Sequence, residues 1–527
     1  MVNQSIPGPS AVKKPLIINS YGDKYQGDLR CRVVNSVDFI QSSSGSEIRK
    51  HARSFFLLLG ELSYYPSLAD SFVDLVIALH PRPVQWGSSA YWREFLESAV
   101  AKIDPEDNNR IAILYAGLRE ICEMQGDFEN GIRYATLVLQ NESLHLASRA
   151  SALRYLYRNL RSQGRPNEAM ALFEEYESRL SPPKWKISSD PIARRAYLYM
   201  NQCRLDQLRA AGRISEALEL SESLCEIATT GSREHPELIG DLLTRKSTLE
   251  WTKGFFPKAL EDVYFAIDSY KEAGDHFQAE SLQSNLGLIK WSMGNLVEAE
   301  DHIRRAIRYF RDTRLPQLLS MDVGNLALVY LARCDLDKAE SHLNEQIEIA
   351  RSINFISELE RAITNLALVK CCRGDYRTGL DILIQDHVDY PEIGTTTGRF
   401  LDATWMSLSY LKLGDPVTGA QTLEDAWAPL KLLHSPNLQC IYKRTASLFA
   451  PKEERSALLL PCLEHARRSQ AKLEEAACLL LLSNLDDSPP ERNIHWIAAR
   501  RILESIGAAA WLTGKTPADP PFLPFSS

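Results

Sequence analysis

Apolar residues recur along this chain at helical rather than alternating spacing, in paired runs separated by a short polar turn. Before one such turn, Leu326, Val329 and Tyr330 share a helical face; after it, Ala339, Leu343 and Ile347 share another. The turns themselves line up. Gly126, Gly164, Gly212, Gly254, Gly294, Cys334, Gly374 and Gly414 follow one another at steps of 38, 48, 42 and then four of 40 residues. Five residues after each stands Gly131, Ala169, Ala217, Ala259, Ala299, Ala339, Gly379 or Gly419.

This regularity has a mechanical cause. Each turn is the hinge of a helical hairpin, with glycine adopting a backbone conformation other residues resist. The small residue five positions later lets the second helix approach the first closely. One hairpin cannot cover its own apolar stripe, so it stacks on the next. The pattern predicts about eight to ten such hairpins. The longer 48-residue step contains SPPKWKISSDP, whose prolines forbid a continuous helix and whose Trp185 is expected to pack on the array.

From Ile111 to Pro429 the pattern resembles the tetratricopeptide repeat family. Seven positions before the turn, Gly287, Ala327 and Ala367 match that family's small residue, and Tyr330 and Tyr410 match its large one. The forty-residue period is similar to the variant found in kinesin light chains and in the sensor arms of bacterial signal-transduction ATPases. The resemblance implies an all-α, TPR-like α-solenoid: a superhelix of stacked antiparallel hairpins whose first helices line a concave groove.

The same resemblance suggests a site. Three stretches, NLGLIKW, NLALVYL and NLALVKC, open on Asn285, Asn325 and Asn365. That register position faces the groove in the family, and it is occupied by Arg245 and Trp405 in the flanking repeats. Leu288, Trp291, Leu328 and Arg361 are expected on the same wall. A carboxamide carries both donor and acceptor, so one per repeat suits the backbone of a bound peptide or partner helix. The alternative is that each amide bonds the adjacent helix and stiffens the stack. The carboxylate clamp for chaperone tails is not expected, because Ser284 and Leu288 occupy positions where it needs lysine and asparagine.

Around the array at 111–429, the chain divides into an irregular arm or linker at 1–45 and an atypical helical cap at 46–110. Helical repeats or a cap follow at 430–514, then a Pro-rich tail at 515–527 with one PxxP, Pro521 to Pro524. The runs KPLII and CRVVNSV in the arm are β-prone, and Trp86 and Trp92 are expected to anchor the cap.

Composition narrows the function. The formal charge of −8 and interspersed acidic and basic residues make nucleic acid an unlikely partner. Arg304, Arg308 and Arg311 form a stripe best read as a solvated helix face. Ten scattered cysteines without a CxxC pair suit a reduced compartment. With no apolar leader or membrane-length run, a cytoplasmic protein is expected. No cofactor or metal is expected. LTGKT at Gly514–Lys515–Thr516 has Ala509 where a phosphate loop needs glycine, and no His or Cys pattern suggests catalysis. The expected role is a non-enzymatic, regulatory protein-binding scaffold, with a receptor for a ligand or signalling peptide as its main rival. A cryptic enzyme subunit is the lesser one.

Overall fold

The computed structural model describes residues 22–43, 45–80, 82–85, 89–183, 187, 189–230, 236–390, 396–433, 435–485 and 493–515. Trp86, Trp185, the run KPLII and the tail from residue 516 lie outside them. All regular structure among the described residues is helical.

The amino-terminal block contains α1 (Gly22–Ser42), α2 (Gly45–Lys50), α3 (Ala52–Ser63), α4 (Ala69–Leu79), α5 (Arg82–Gln85) and α6 (Ser89–Lys102). Over 22–42 the structure differs from the irregular arm expected there, and CRVVNSV is not a strand. The reason is spacing: Leu29, Val33 and Ile40 fall on one helical face and are buried with Phe56, Phe72 and Trp92. A strand would have turned Val33 and Val34 to opposite sides with equal claim to burial; in the helix Val34 is exposed. Trp92 sits within an aromatic group, edge-on to Phe56 at 5.9 Å.

Eight hairpins follow: α7 and α8 (Asn108–Gln125, Phe128–Gln140), α9 and α10 (Leu146–Ser162, Pro166–Leu180), α11 and α12 (Pro191–Ala210, Ile214–Thr230), and α13 and α14 (Pro236–Lys253, Phe256–Glu272). The series continues with α15 and α16 (His276–Ser292, Leu296–Asp312), α17 and α18 (Pro316–Ala332, Leu336–Ser352), α19 and α20 (Ile356–Cys372, Tyr376–Asp389), and α21 and α22 (Thr396–Lys412, Pro416–Trp427). Helices α23 (Pro436–Ala446), α24 (Lys452–Ser469), α25 (Lys472–Ser483) and α26 (Ile494–Ser505) are the last α-helices among the described residues.

The eight aligned turn residues all have positive φ, Cys334 included at 63°. At each hinge the backbone closes in the same way. The Gly294 N–H donates to Trp291 O at 2.9 Å and the Asn295 N–H to Lys290 O at 2.8 Å, satisfying carbonyls the ending helix leaves open. Where aspartate follows the turn residue it caps the next helix: Asp375 accepts from the Thr378 N–H at 3.2 Å, and Asp415 from the Thr418 N–H at 3.1 Å. The structure adds a second series that the sequence pattern alone did not bring out. Gly274, Arg314 and Asn354, which join one hairpin to the next, also have positive φ at forty-residue intervals.

The small-residue positions are as tight as expected. Ala169, Ala217, Ala259, Ala299 and Ala339 are fully buried. On the partner helix, a Cβ at Gly287 would lie 2.4 Å from Ile303 Cγ1 and 3.2 Å from the Ala299 carbonyl oxygen.

The superhelix is wound tightly enough to touch itself five hairpins on. Helix α7 packs on α17 and α9 on α19, with Phe128 and Phe355 rings 5.5 Å apart. At the other end α23 meets α13. One continuous core joins Trp291 and Leu296 to Leu459, Leu473, Trp496 and Trp511. The flanking helices therefore do more than cap the ends; they pack back on the middle of the array and brace its inner wall.

Candidate functional site

A cavity of about 780 Å³ lies inside the superhelix. Its wall is built chiefly by the first helix of successive hairpins, α9, α11, α13, α15, α17, α19 and α21. These helices face inward because their outer sides are occupied by the second helices. The floor is apolar, from Trp291, Met321, Leu328, Leu331, Leu368 and Trp405.

Of the nine residues expected on this wall, Arg245, Asn285, Trp291 and Leu328 line the cavity, as do Arg361, Asn365 and Trp405. Leu288 and Asn325 do not. The departure at Asn325 corrects the idea of a continuous row of amides. Asn325 is only 6% exposed. Its Nδ2 donates to Ser284 Oγ at 3.0 Å and to Asp322 Oδ1 at 3.4 Å. Its Oδ1 accepts from Arg361 Nη1 at 3.2 Å. Both ends of the amide are committed to neighbouring helices, so the stiffening role holds at the centre of the row. Asn285 and Asn365 are half-buried and line the cavity, and their side-chain amides have no hydrogen-bond partner among the described residues.

Arg361 ties this network to the wall. It also donates to Glu358 Oε2 through Nε at 2.9 Å and to the Met321 carbonyl at 3.1 Å. Beneath it, burial raises Asp322 to about 7, against the opposing hydrogen bonds of Ser284 and Asn325.

Sequence reasoning missed the charged ends of the cavity. Arg158, Arg161, Asp206 and Arg209 line it from α9 and α11, and Glu360 and Asp402 from α19 and α21. A signal for the first group existed. Leu328 and Leu331 stand six and three positions before Cys334; in the same register Arg158 and Arg161 precede Gly164, and Asp206 and Arg209 precede Gly212. The register is regular only downstream of the 48-residue step, which hid these positions.

Around the arginines, burial and Arg245 push Arg158 down to about 10. Burial would raise Asp206, but the arginines around it, Arg245 foremost, hold it below the usual carboxylate range. At the opposite group burial, reinforced by Asp386 and Asp402, raises Glu360 to about 8. The charge of Arg399 opposes this rise without cancelling it.

These shifts carry a pH dependence of stability. Asp322 and Glu360 bind protons in the folded chain over a range where the unfolded chain, with carboxyls near 4, has released them. Their contribution is present at low pH and lost as pH rises through about 7 to 8. Above that, Cys122 and Cys203, raised by burial to about 12, act in the same direction. The urea midpoint is therefore expected to fall over roughly pH 5 to 8, between the unfolded and folded carboxyl values, and in Asp322→Asn to fall less steeply below pH 7. A midpoint that rises over this window contradicts the assignment.

Elsewhere, two arginines of the stripe are paired on the outer surface: Arg304 Nε donates to Glu300 at 2.8 Å and Arg311 to Glu345 at 2.9 Å. No described helix is long and apolar enough to cross a membrane. Among the described residues no group of three His, Cys, Asp or Glu is placed to hold a metal ion.

No family model matches the chain, and no curated protein sequence matches it. Solved structures do. A Rap protein complexed with Competence and Sporulation Factor matches at 13% identity over 68% of this chain and 97% of its own, with a TM-score of 0.51. The Rap conjugation gene regulator of plasmid pLS20, in complex with the Phr* peptide, matches at 10% identity over 68% and 94%, with a TM-score of 0.43. A signal-transduction ATPase with a tetratricopeptide repeat sensor from Pyrococcus horikoshii matches at 14% identity over 72% and 66%, with a TM-score of 0.34. The first likeness reaches the level of a shared fold, and with the hinge geometry and inward-facing first helices it leads to one conclusion: this chain is a tetratricopeptide-like α-solenoid.

Proposed function

We propose that this chain is a non-enzymatic regulatory scaffold that captures a short peptide segment inside its superhelix. The observation that carries this reading is the cavity: about 780 Å³, floored by apolar side chains and flanked by the open amides of Asn285 and Asn365. A space walled by seven successive first helices suits a short peptide segment. That size favours a short peptide over a long partner helix. The amides offer backbone pairing independent of side chains, and Leu328, Leu368 and Trp405 offer apolar seats. The lining of arginines, carboxyls, amides and apolar groups is a recognition set, and we assign it binding rather than turnover. Support also comes from the Rap protein of similar fold, which was solved with Competence and Sporulation Factor. Ten unpaired thiols suit the cytoplasm.

A sensing role is compatible with the same site. The contacts of α7 with α17 and of α9 with α19 tie the cavity wall to the pitch of the superhelix. An occupant that shifts α19 changes those contacts and, with them, the outer surface.

The test uses immobilised protein and a random hexapeptide library, with retained peptides quantified by mass spectrometry. Native protein is expected to retain a defined subset. Leu368→Glu, placing a charge on a half-buried lining position, is expected to lose retention about tenfold while its circular dichroism stays native. Equal retention by both proteins sinks the reading.

A further inference from the structure

We propose that the occupant is held by its two ends: a free carboxylate among Arg158, Arg161, Arg209 and Arg245, and a cationic group against Glu360 and Asp402. This rests on the peptide reading above and narrows it to a linear peptide with free termini.

The arginine end is over-supplied with positive charge. Arg245 Nη1 donates to Asp206 Oδ1 at 2.7 Å, and Arg158 pairs with Glu123. Arg161 reaches Tyr157 Oη at 3.4 Å and the Asp206 carbonyl at 3.1 Å, neither of which neutralises it. The Arg209 side chain has no hydrogen bond or ion pair among the described residues, only the longer-range attraction of Asp206, and is exposed toward the cavity it lines. Four guanidiniums thus face two carboxylates. Guanidinium forks match a carboxylate in shape as well as charge, so an incoming carboxylate restores the balance.

The other end has the opposite need. Glu358 is committed to Arg361 and Gln346, and Asp402 lies 3.2 Å from His387 Nε2. Asp386, buried behind them, has Arg399 at 3.8 Å. Glu360 lines the cavity at 9% exposure, and no side-chain hydrogen bond or ion pair reaches its carboxyl among the described residues. An ammonium group placed there supplies the missing counter-ion. Between the two ends, Trp291 is 1% exposed and its indole N–H has no partner, leaving a donor for a main-chain carbonyl.

A linear peptide with free termini carries both charges at neutral pH, an α-amino group near 8 and an α-carboxyl near 3.5, and holds them apart along its backbone. A purely anionic ligand, such as a nucleic-acid backbone, satisfies the arginines and brings no cation to Glu360 and Asp402.

The experiment presents three versions of the random hexapeptide library to native protein: free termini, amidated carboxyl end and acetylated amino end. Retention is expected to fall about tenfold on amidation and on acetylation, each of which removes a charge-assisted contact. In Arg209→Gln the free-to-amidated ratio is expected to collapse toward one, and in Glu360→Gln the free-to-acetylated ratio. Neither side chain makes a hydrogen bond or ion pair among the described residues, so both variants are expected to fold, which circular dichroism checks. If the blocked libraries are retained as well as the free one, end recognition is overturned while peptide binding stands. End recognition is equally overturned if retained peptides share internal Asp or Glu but ignore amidation. If no version is retained, the peptide reading itself falls, and this inference with it.

Discussion

Replacing Arg444 by alanine is expected to lower the unfolding free energy by roughly 3–5 kcal/mol. Arg444 is 1% exposed, and its Nε and Nη2 lie 3.1 and 3.2 Å from the two oxygens of Glu474. The side chain of Glu474 is also buried, so removing the guanidinium strands a carboxylate where water cannot reach it. The paired change Arg444→Met with Glu474→Leu is expected to restore most of the loss, since a buried ion pair seldom outperforms well-packed apolar side chains. Repeat arrays unfold in segments, so urea titration should be accompanied by hydrogen exchange over α23 to α26. A loss below about 1 kcal/mol in the single variant contradicts the expectation.

A comparable loss is expected from Trp511→Ala, roughly 3–5 kcal/mol, from the cavity left by a buried tryptophan. Trp511 is 6% exposed, and its Nε1 donates to the Ala332 carbonyl at 2.9 Å across 179 residues of sequence. That carbonyl belongs to the last turn of α17, where no intrahelical donor remains. The consequence reaches the cavity, because α17 carries Met321, Leu328 and Leu331. Hydrogen exchange in α17 is expected to quicken in Trp511→Ala. Trp511→Phe keeps much of the packing and leaves the acceptor unpaired, for an expected loss of about 1–3 kcal/mol. Unchanged protection of α17 in Trp511→Ala would mean that the carboxyl-terminal helices do not brace the wall.

The two variants bear on the same question from different sides. Arg444→Ala loosens the carboxyl-terminal helices internally, and Trp511→Ala detaches them from the array. If the wall depends on that brace, both weaken retention of peptides although neither residue lines the cavity.

Local chemistry explains what was legible in advance. A hinge that needs positive φ selects glycine, and a close helix crossing selects alanine or glycine. Both choices are written at single positions and repeat with the hairpin, so Gly126 to Gly414 and Gly131 to Gly419 mark the array without coordinates. Position in a repeat also foretold which helix faces inward, and seven of the nine expected wall residues line the cavity. The strand expectation for CRVVNSV failed because adjacent valines fit a strand and a helix alike when only a short run is considered. Leu29 and Ile40, taken together with Val33, would have decided for the helix.

Asn325 shows where local reasoning stops. Asn285, Asn325 and Asn365 share one register, yet only Asn325 has Ser284, Asp322 and Arg361 around it. Its neighbours come from three different hairpins, and no repeat considered alone specifies them. By itself the sequence determined the solenoid, its period and its inner face, because each depends on contacts within a hairpin or to the next one. The tertiary structure alone decided that the superhelix closes on itself, that Trp511 meets Ala332, and that arginines and carboxyls separated by some two hundred residues line one cavity. Those depend on small rotations summed over five hairpins, and such sums are not encoded at any single position.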